Sequence, residues 1–521
     1  MKTPSAAPTT AQTTALSSPL PIGDAPLDIE TVREVALRDA RVGLSPLAER
    51  RMAVSRAVVD RHLTEGRPVY GLTRGLGPQA TKTVPVEALV EFSRLTVLGR
   101  AQSVGPRFSR AASRATLLIR ATSMTAGGAG VRPELARFLL ELLNRRVHPV
   151  IPSIGSIGAS DLCQLAHMGL VVIGEGEAEF EGEVMPGAEA LRRAGLTPVL
   201  LAPKEGLALC SANSATAARG ALALAWARDL ALLADLAAAL TMEGFRANLS
   251  PFDPRVAAAR PQPGQPESAA RLLRLLAGSA LMQPGAARRI QDPLSFRCVS
   301  QVHGSFAVAL GQAEQALLPE FNGAGDNPLV LPEADIILSN GNFHTPALAL
   351  AFDAAAIGLA QTANLAVNRI GRMMAKRLTD LPDVLTREPP PSVGLGPLTK
   401  TTEALAAEIR FAANPVAADQ RQSAEGIEDD TTNAPLAVAK FETALERYAL
   451  LIACELIVGA EAVDHARPPA LGVGPRIAHE AVRALVPPLG QDRPYGAAIE
   501  SVCDRMLRSE TFARQVAASI E

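Results

Sequence analysis

Seven unusual strings in the sequence place reactive side chains next to glycine and proline. Tyr70 lies in a glycine-rich loop. A phenol, whose pKa is ordinarily about 10, can act as a base at neutral pH only if nearby cations or helix N-termini lower that pKa. Arg297 has a planar guanidinium group that can donate two hydrogen bonds to one carboxylate. In chain order, the strings are VYGLTRGLG (69–77), GSIGASDLCQLAHMG (155–169), KEGLAL (204–209), QDPLSFRC (291–298), GDNPLV (325–330), NGNFH (340–344) and IEDD (427–430).

The order of these strings resembles that of the histidine and phenylalanine ammonia-lyase superfamily along most of the chain. The resemblance implies a mainly α fold of the ammonia-lyase/fumarase-like kind, with a central bundle of long helices. It also implies carbon–nitrogen lyase activity on a small amino acid or betaine. Active sites of this family combine residues from several subunits of a homotetramer, so we expect a homotetramer here.

The resemblance also assigns roles to individual residues. Tyr70 corresponds to the tyrosine base of the family, Arg297 to the arginine that binds the substrate carboxylate, and Glu428 to an active-site glutamate. Asn327 and Gln291 correspond to supporting polar groups. The competing interpretations are structural: a tyrosine that satisfies a carbonyl, an arginine in an ion pair, and a glutamate on a solvated acidic turn.

A triplet in the second string differs from the pattern of the family. In the usual member, Ala-Ser-Gly cyclises into methylideneimidazolone (MIO), an electrophile that takes up the substrate amine and makes it a leaving group. Here the triplet is Ala159-Ser160-Asp161. Cyclisation requires the amide nitrogen after Ser160 to attack the Ala159 carbonyl through a tight turn, which glycine permits and the Cβ of Asp161 hinders.

Two further departures fall at positions that the family uses around MIO. The family's Asn-Gly-Thr is replaced by Ser211-Ala212-Asn213, and an aromatic position is occupied by Leu294. All three departures fall at positions that form or surround MIO in the family, and together they favour loss of the electrophile. Formation of MIO from the triplet stays open as the disfavoured alternative, and we expect no other cofactor.

Without an electrophile, the substrate must carry a better leaving group. A quaternary trimethylammonium group already leaves as neutral trimethylamine, and it has no N–H or lone pair with which to form an MIO adduct. The resemblance therefore extends to the ergothionase-like branch of the superfamily, which removes trimethylamine from ergothioneine to give thiourocanate without relying on MIO.

In that branch a lysine and a glutamate handle the heterocycle. Glu428 matches the glutamate, and Lys400 is the lysine candidate by spacing, just before a helix predicted over 402–412. Arg100 lies where the family selects the substrate ring, and its charge suits a polar heterocycle. The alternative interpretation is that Lys400 and Arg100 are solvated surface residues.

Two competing functions remain open from the sequence. One is an MIO-dependent histidine or aromatic amino acid ammonia-lyase. The other is an inactive paralogue that acts as a scaffold, against which the retained Tyr70, Arg297 and Glu428 argue. Histidines are spread along the sequence, and a structural role is expected for each of His62, His148, His167, His303 and His344.

Long segments rich in Ala and Leu must form the frame that positions these residues. Apolar residues recur in them at spacings of three and four with charges between, the pattern of helices that face a core. The predicted helices are 133–144, 217–241, 306–317, 346–377, 402–412 and 435–460. Proline and glycine gather between them and predict loops over 149–158, 251–264, 323–341 and 389–397.

We predict one large helical lyase domain over residues 26–521. Its N-terminal part, to about residue 210, carries the tyrosine loop and the MIO-like loop, and residues 211–521 supply the central bundle and the C-terminal part. Residues 1–25 are rich in Ser, Thr, Ala and Pro without a continuous apolar run, which predicts a disordered tail rather than a signal peptide.

Composition excludes several other classes of protein. The 521 residues are 48% hydrophobic with a net charge of −2, and only 3% are aromatic, so we expect no nucleic-acid partner. Five scattered cysteines without metal-ligand spacing predict no disulfides, no metal site and a cytoplasmic location. Charges within the most apolar stretch, 220–245, argue against a membrane span.

Overall fold

A computed structural model describes residues 18–419 and 426–521 of the chain. The fold is mainly α, as predicted. The α-helices in the described ranges are α1 (Ile29–Arg38), α2 (Pro46–Thr64), α3 (Leu89–Arg100), α4 (Arg110–Met124), α5 (Pro133–Asn144), α6 (Leu162–Val172), α7 (Gly187–Arg193), α8 (Glu205–Cys210), α9 (Ser214–Phe245), α10 (Pro254–Ala259), α11 (Gln265–Leu275), α12 (Leu294–Arg297), α13 (Val299–Asn322), α14 (Pro346–Met373), α15 (Lys376–Thr379), α16 (Leu398–Ala412), α17 (Ala434–Ala466), α18 (Val473–Leu485), α19 (Gly496–Val502) and α20 (Glu510–Ala518).

Short strands form four small sheets. The strands β1 and β2 pair in parallel, and the sheets β3–β5, β4–β6–β7 and β8–β9 are antiparallel. Their bounds are β1 (Leu20–Ile22), β2 (Val42–Leu44), β3 (Val104–Arg107), β4 (His148–Pro149), β5 (Pro152–Ile154), β6 (Glu177–Phe180), β7 (Glu183–Pro186), β8 (Leu329–Leu331) and β9 (Ile336–Leu338).

The chain divides into two compact units. Unit 1 contains the residues up to Gly155 together with Asp161–Ala218 and Glu320–Phe343. Unit 2 contains Ser156–Ser160, Arg219–Pro319 and His344–Glu521. The single domain over residues 26–521, divided near residue 210, stays a prediction.

Unit 1 is built around α4, in which thirteen of the fifteen residues are buried. Its Arg120 donates to Asp326 Oδ1 at 2.7 Å, and its Nε donates to the carbonyl of Ala208 at 2.9 Å. A buried guanidinium is stable only when its donors have partners, and these partners lie in the KEGLAL and GDNPLV strings. The ion pair therefore fixes those two strings relative to each other.

Unit 2 is built on the long helices α14, α16 and α17, which pack against one another. Arg369 of α14 donates to Glu455 Oε2 of α17 at 2.9 Å, and its Nη1 donates to the carbonyl of Ser295 at 3.1 Å. Both charged side chains are buried, so the pair is costly to break. The contact with Ser295 ties α12, which ends at Arg297, to the two long helices.

The predicted helices are present, with changes at their ends. Helix α5 has the predicted bounds, whereas α14 ends at Met373 instead of 377 because Ala375 is extended, with φ −103° and ψ 105°. At about 1.5 Å per residue, α14 is about 42 Å long. Its length and composition would allow a membrane crossing, but sixteen of its 28 residues are buried in the protein.

Some segments predicted as tail or loop are ordered. Residues 18–25 were expected in the disordered tail, yet β1 lies there, because Leu20 donates to Arg41 O at 2.8 Å and Ile22 is buried. Residues 1–17 lie outside the described part. The predicted loop 251–264 contains α10, and 323–341 contains the hairpin β8–β9, whose consecutive apolar residues pair in register.

Candidate active site

The loop Ser156–Ser160, which carries the first two residues of the MIO-like triplet Ala159-Ser160-Asp161, has a strained backbone. Gly158 and Ser160 adopt φ values of +87° and +65°, in the left-handed region. A Cβ at Gly158 would lie 1.9 Å from Thr432 Oγ1, so only glycine fits there. Ser156 Oγ donates to the carbonyl of Ser160 at 3.1 Å and closes the loop on itself.

Two threonine hydroxyls hold this loop from either side. Thr345 Oγ1 and Thr432 Oγ1 both donate to the carbonyl oxygen of Gly158, at 3.4 and 3.1 Å. Thr345 is the N-cap residue of α14, and Thr432 lies just before the N-cap of α17. Within unit 2, the loop is therefore fixed at the N-termini of two long helices, α14 and α17.

Asp161, the last residue of the triplet, is buried in unit 1 and fully engaged. Its amide N–H donates to the carbonyl of Ala212 at 2.7 Å. Its Oδ2 accepts the backbone N–H of Thr216 at 2.7 Å, and its Oδ1 accepts the Thr216 hydroxyl at 2.8 Å. Thr216 is in the first turn of α9, where backbone N–H groups have no partner within the helix. Asp161 therefore caps α9.

A half-buried carboxyl, that of Glu320, lies close to this cap. Asn213 Nδ2 donates to Glu320 Oε2 at 3.1 Å and to the carbonyl of Phe343 at 2.9 Å. Burial raises the pKa of Glu320 to about 7, and the negative charge of Asp161 acts in the same direction, against the opposing hydrogen bond from Asn213. Sequence reasoning missed Glu320, whose only signal is an acid within the apolar run LLPEF (317–321).

Tyr70 is half-buried in the glycine-rich loop of unit 1. Its Oη accepts the backbone N–H of Gly77 at 3.1 Å, where a short 3₁₀ turn begins. A Cβ at Gly71 would lie 2.3 Å from a methyl carbon of Leu207, and φ there is +65°, so the loop requires glycine at this position. The phenol oxygen is thus held by a backbone donor of the kind found at helix N-termini.

Asn327 links two of the strings, GDNPLV and NGNFH, with Ser211 within unit 1. Its N–H donates to Ser211 Oγ at 3.3 Å, and its Oδ1 accepts from the N–H of Asn340 at 3.1 Å. The structure therefore brings Asn327 to Ser211, which belongs to one of the three departures from the family pattern.

Arg100, the last residue of α3, is half-buried and donates to the carbonyl of Thr96 at 3.4 Å.

Arg297 ends α12 in unit 2 and is half-buried. Its Nε is buried without a hydrogen-bond partner, and within residues 18–419 and 426–521 it forms no ion pair. A buried N–H without a partner is costly, so this guanidinium is suited to an acceptor from a ligand. Gln291 and Leu294, from the same string, are exposed.

Lys400 and Glu428 also lie in unit 2. Lys400 is exposed in the first turn of α16, which begins at Leu398 rather than at 402 as predicted. Glu428 is half-buried. In the described part of the chain, neither side chain has a hydrogen bond or an ion pair, and nothing joins them to Arg297 or Gln291. Glu425, three residues before Glu428 in the sequence, lies outside the described residues.

His344 and Asp430 form a pair that sequence reasoning did not assemble. His344 Nε2 lies 2.8 Å from Asp430 Oδ2, and the backbone of His344 bridges to that of Ala159. The signal was present, because both residues belong to the noted strings NGNFH and IEDD. Their spacing of 86 residues concealed the contact.

Comparison with known proteins places this architecture in a family. Residues 27–484 match the model of a family described as aromatic amino acid lyase. The chain belongs to the aromatic amino acid lyase family. This lyase is 41% identical over 490 residues to a histidine ammonia-lyase of Anaeromyxobacter dehalogenans, covering 91% of the chain and 96% of that relative. It is therefore a carbon–nitrogen lyase.

Solved structures resemble this lyase over nearly its whole length. An ergothionase from Treponema denticola, in complex with desmethyl-ergothioneine sulfonic acid, superposes with a TM-score of 0.91 at 31% identity, covering 96% of this chain and 99% of that one. A histidine ammonia-lyase from Trypanosoma cruzi superposes with a TM-score of 0.88 at 29% identity, covering 96% and 95%. The ammonia-lyase fold is thus confirmed.

Proposed function

We propose that this lyase eliminates trimethylamine from a histidine betaine such as ergothioneine, giving thiourocanate, without forming MIO. The observation that carries the proposal is the engagement of Asp161. Its carboxylate accepts two hydrogen bonds from Thr216, and its amide N–H is donated to Ala212.

These contacts do not suit cyclisation of the triplet. The amide nitrogen of Asp161 would have to turn onto the carbonyl carbon of Ala159, but its N–H is directed at Ala212 O at 2.7 Å. Moving that nitrogen would also pull the carboxylate away from Thr216 and leave an N–H of α9 without a partner. Asp161 in place of glycine therefore adds side-chain hydrogen bonds that hold the backbone in position, as well as a Cβ.

The charge of Asp161 acts against an electrophile as well. The N-terminus of a helix carries about half a positive elementary charge, which would polarise an electron-poor group nearby. Here a carboxylate occupies the N-terminus of α9 and offsets that charge. An elimination that needs no internal electrophile is compatible with this arrangement.

A betaine supplies the leaving group that the protein then lacks. The bond from Cβ to its proton breaks, its electron pair forms the double bond, and the amine departs with the electrons of the Cα–N bond as neutral trimethylamine. The similarity to an ergothionase, at a TM-score of 0.91 and 31% identity, supports this substrate class.

We assign the residues of unit 2 as follows. Arg297, whose Nε has no acceptor among the residues that the structure describes, binds the substrate carboxylate through two parallel hydrogen bonds. Lys400 and Glu428, whose side chains have no partner in the described ranges, stabilise charge that moves into the imidazole-2-thione. Gln291 supports the carboxylate site from the same string.

The residues of unit 1 have the remaining roles. Tyr70 removes the β-proton as a phenolate, with its oxygen held by the Gly77 N–H at 3.1 Å. Asn327 is a supporting polar group, and Arg100 selects a polar ring. Homotetramer formation and a cytoplasmic location belong to the same proposal, on the family resemblance and the scattered cysteines.

A second candidate is an ammonia-lyase that acts on histidine through MIO. It is favoured by the 41% identity to a histidine ammonia-lyase and by similar relatives, among them one from Stigmatella aurantiaca at 39% over 478 residues. In that case the triplet must cyclise despite the contacts of Asp161.

Two measurements separate these candidates. Cyclisation and dehydration remove two waters, so the intact mass of the protein should equal that calculated from the sequence if MIO is not formed. The protein is then incubated with ergothioneine, hercynine and histidine, and the near-ultraviolet absorbance of the conjugated product is followed together with trimethylamine and ammonia. A mass deficit of two waters with ammonia release from histidine contradicts the proposal, as does the absence of product from all three compounds.

A further inference from the structure

Within unit 2, the pair His344–Asp430 lies directly beside Ala159, the first residue of the triplet. The backbones of His344 and Ala159 pair as an antiparallel bridge, and the imidazole Nε2 lies 2.8 Å from Asp430 Oδ2. The two side chains are 26% and 56% exposed, so solvent reaches both groups.

Both halves of the pair are anchored to one atom of the loop. The residue after His344 is Thr345, and two residues after Asp430 comes Thr432. Both threonine hydroxyls donate to the carbonyl oxygen of Gly158 and lie 3.4 Å from each other. The imidazole therefore has a fixed position relative to Gly158 and the neighbouring Ala159.

The partner of the imidazole determines which nitrogen carries hydrogen. A carboxylate only accepts hydrogen bonds, so Nε2 donates to Asp430 and the lone pair of neutral His344 resides on Nδ1. No protein group in the described ranges forms a hydrogen bond with Nδ1. The pair thus consists of an accessible proton acceptor and a carboxylate that stabilises the imidazolium once formed.

We propose that His344, oriented by Asp430, is a proton-transfer residue of this lyase that delivers the proton of the elimination to solvent. The reaction breaks the Cβ–H bond and leaves one proton on the enzyme in each turnover, whichever amine departs. Nδ1 takes up that proton from the base that removed it, so that the base returns to its unprotonated form. The imidazolium is stabilised by Asp430, and the proton then passes to water. The inference does not depend on MIO or on the substrate ring.

His344→Gln is the first test, because glutamine can still donate to Asp430 but cannot carry a proton. His479→Gln is the matched control, since His479 lies 2.7 Å from Asp464 and its side chain is 22% exposed, against 26% for His344. With ergothioneine or histidine, whichever the wild type converts, kcat of His344→Gln should fall about tenfold or more with KM little changed. The kcat of His479→Gln should stay at the wild-type value.

Added imidazole distinguishes proton transfer from a structural role. It should restore kcat of His344→Gln in proportion to its concentration and leave the control unaffected. An unchanged kcat, or a loss that imidazole does not restore, overturns the proposal. Asp430→Asn provides a second variant, with an expected loss that stays smaller than that of His344→Gln.

A measurement that needs no turnover covers the case of an inactive protein. Diethyl pyrocarbonate acylates imidazole nitrogens that are unprotonated and accessible, and peptide masses locate the modified residues. His344 of the full chain should be among the acylated residues. A His344 that fails to react overturns the proposal, whereas absence of product from all substrates contradicts only the proposed function.

Discussion

Asp161 Oδ2 and the backbone N–H of Thr216 are joined by a 2.7 Å hydrogen bond across 55 residues of sequence. Asp161→Ala removes this cap and leaves the N–H buried without a partner. We expect a loss of about 1–2 kcal/mol in the free energy of unfolding, measured by urea denaturation at one fixed protein concentration. The control is Asp28→Ala, which removes an exposed cap of α1 and should cost less. A loss no larger than that of the control would show that the buried cap is dispensable.

Ser160→Ala tests whether the triplet takes part in chemistry. If no electrophile is formed, the Ser160 hydroxyl is never eliminated, and kcat should stay within about threefold of the wild type, a difference of less than about 0.7 kcal/mol. Turnover of the best substrate and the intact mass are measured together. Complete loss of activity, accompanied by recovery of two waters of mass, is the result that an MIO enzyme would give.

Arg297→Lys keeps the charge but removes the planar pair of donors. Because hydrogen bonds to charged groups contribute about 1.5–3 kcal/mol, we expect kcat/KM to fall about 10- to 100-fold. Arg372→Lys, on the exposed last turn of α14, is the control and should change nothing. For a substrate analogue without the carboxylate, the wild type and Arg297→Lys should have the same kcat/KM. An equal penalty for both compounds would disprove carboxylate binding by Arg297.

Glu320 predicts a pH dependence of stability. Burial raises the pKa of Glu320 from 4.5 to about 7, so between these values the folded protein binds a proton that the unfolded chain does not. Stability contributed by this group is therefore full below about pH 4.5 and falls as pH rises through about 7, by roughly 3 kcal/mol in total. Glu320→Gln should flatten the fall in Tm between about pH 5 and pH 8 relative to wild type. Parallel Tm curves for the two proteins would contradict the shift.

The helical frame could be predicted from sequence because its cause is local. Proline at the start and periodic leucines define α5 without any tertiary contact, and α14 begins at the predicted Pro346. Strand β1 escaped prediction because its order comes from pairing with β2, more than a helix away in sequence.

The site was predictable by residue type but not by contact. Tyr70 and Arg297 stand out through their surroundings in the sequence. The capping role of Asp161 depends on Thr216, and the pair His344–Asp430 joins two strings that were considered separately. Contacts over such separations are set by the packing of helices, which no single string contains.

The two hydroxyls that share the Gly158 carbonyl connect the loop to the seam between α14 and α17. A rigid helix transmits a sliding movement along its whole length, here about 42 Å for α14. Substitutions at the far end of that seam should therefore alter turnover through the register of the two helices. Laboratory evolution of this lyase toward other amines has a target there, where Arg369 of α14 donates to the carbonyl of Ser295, two residues before Arg297.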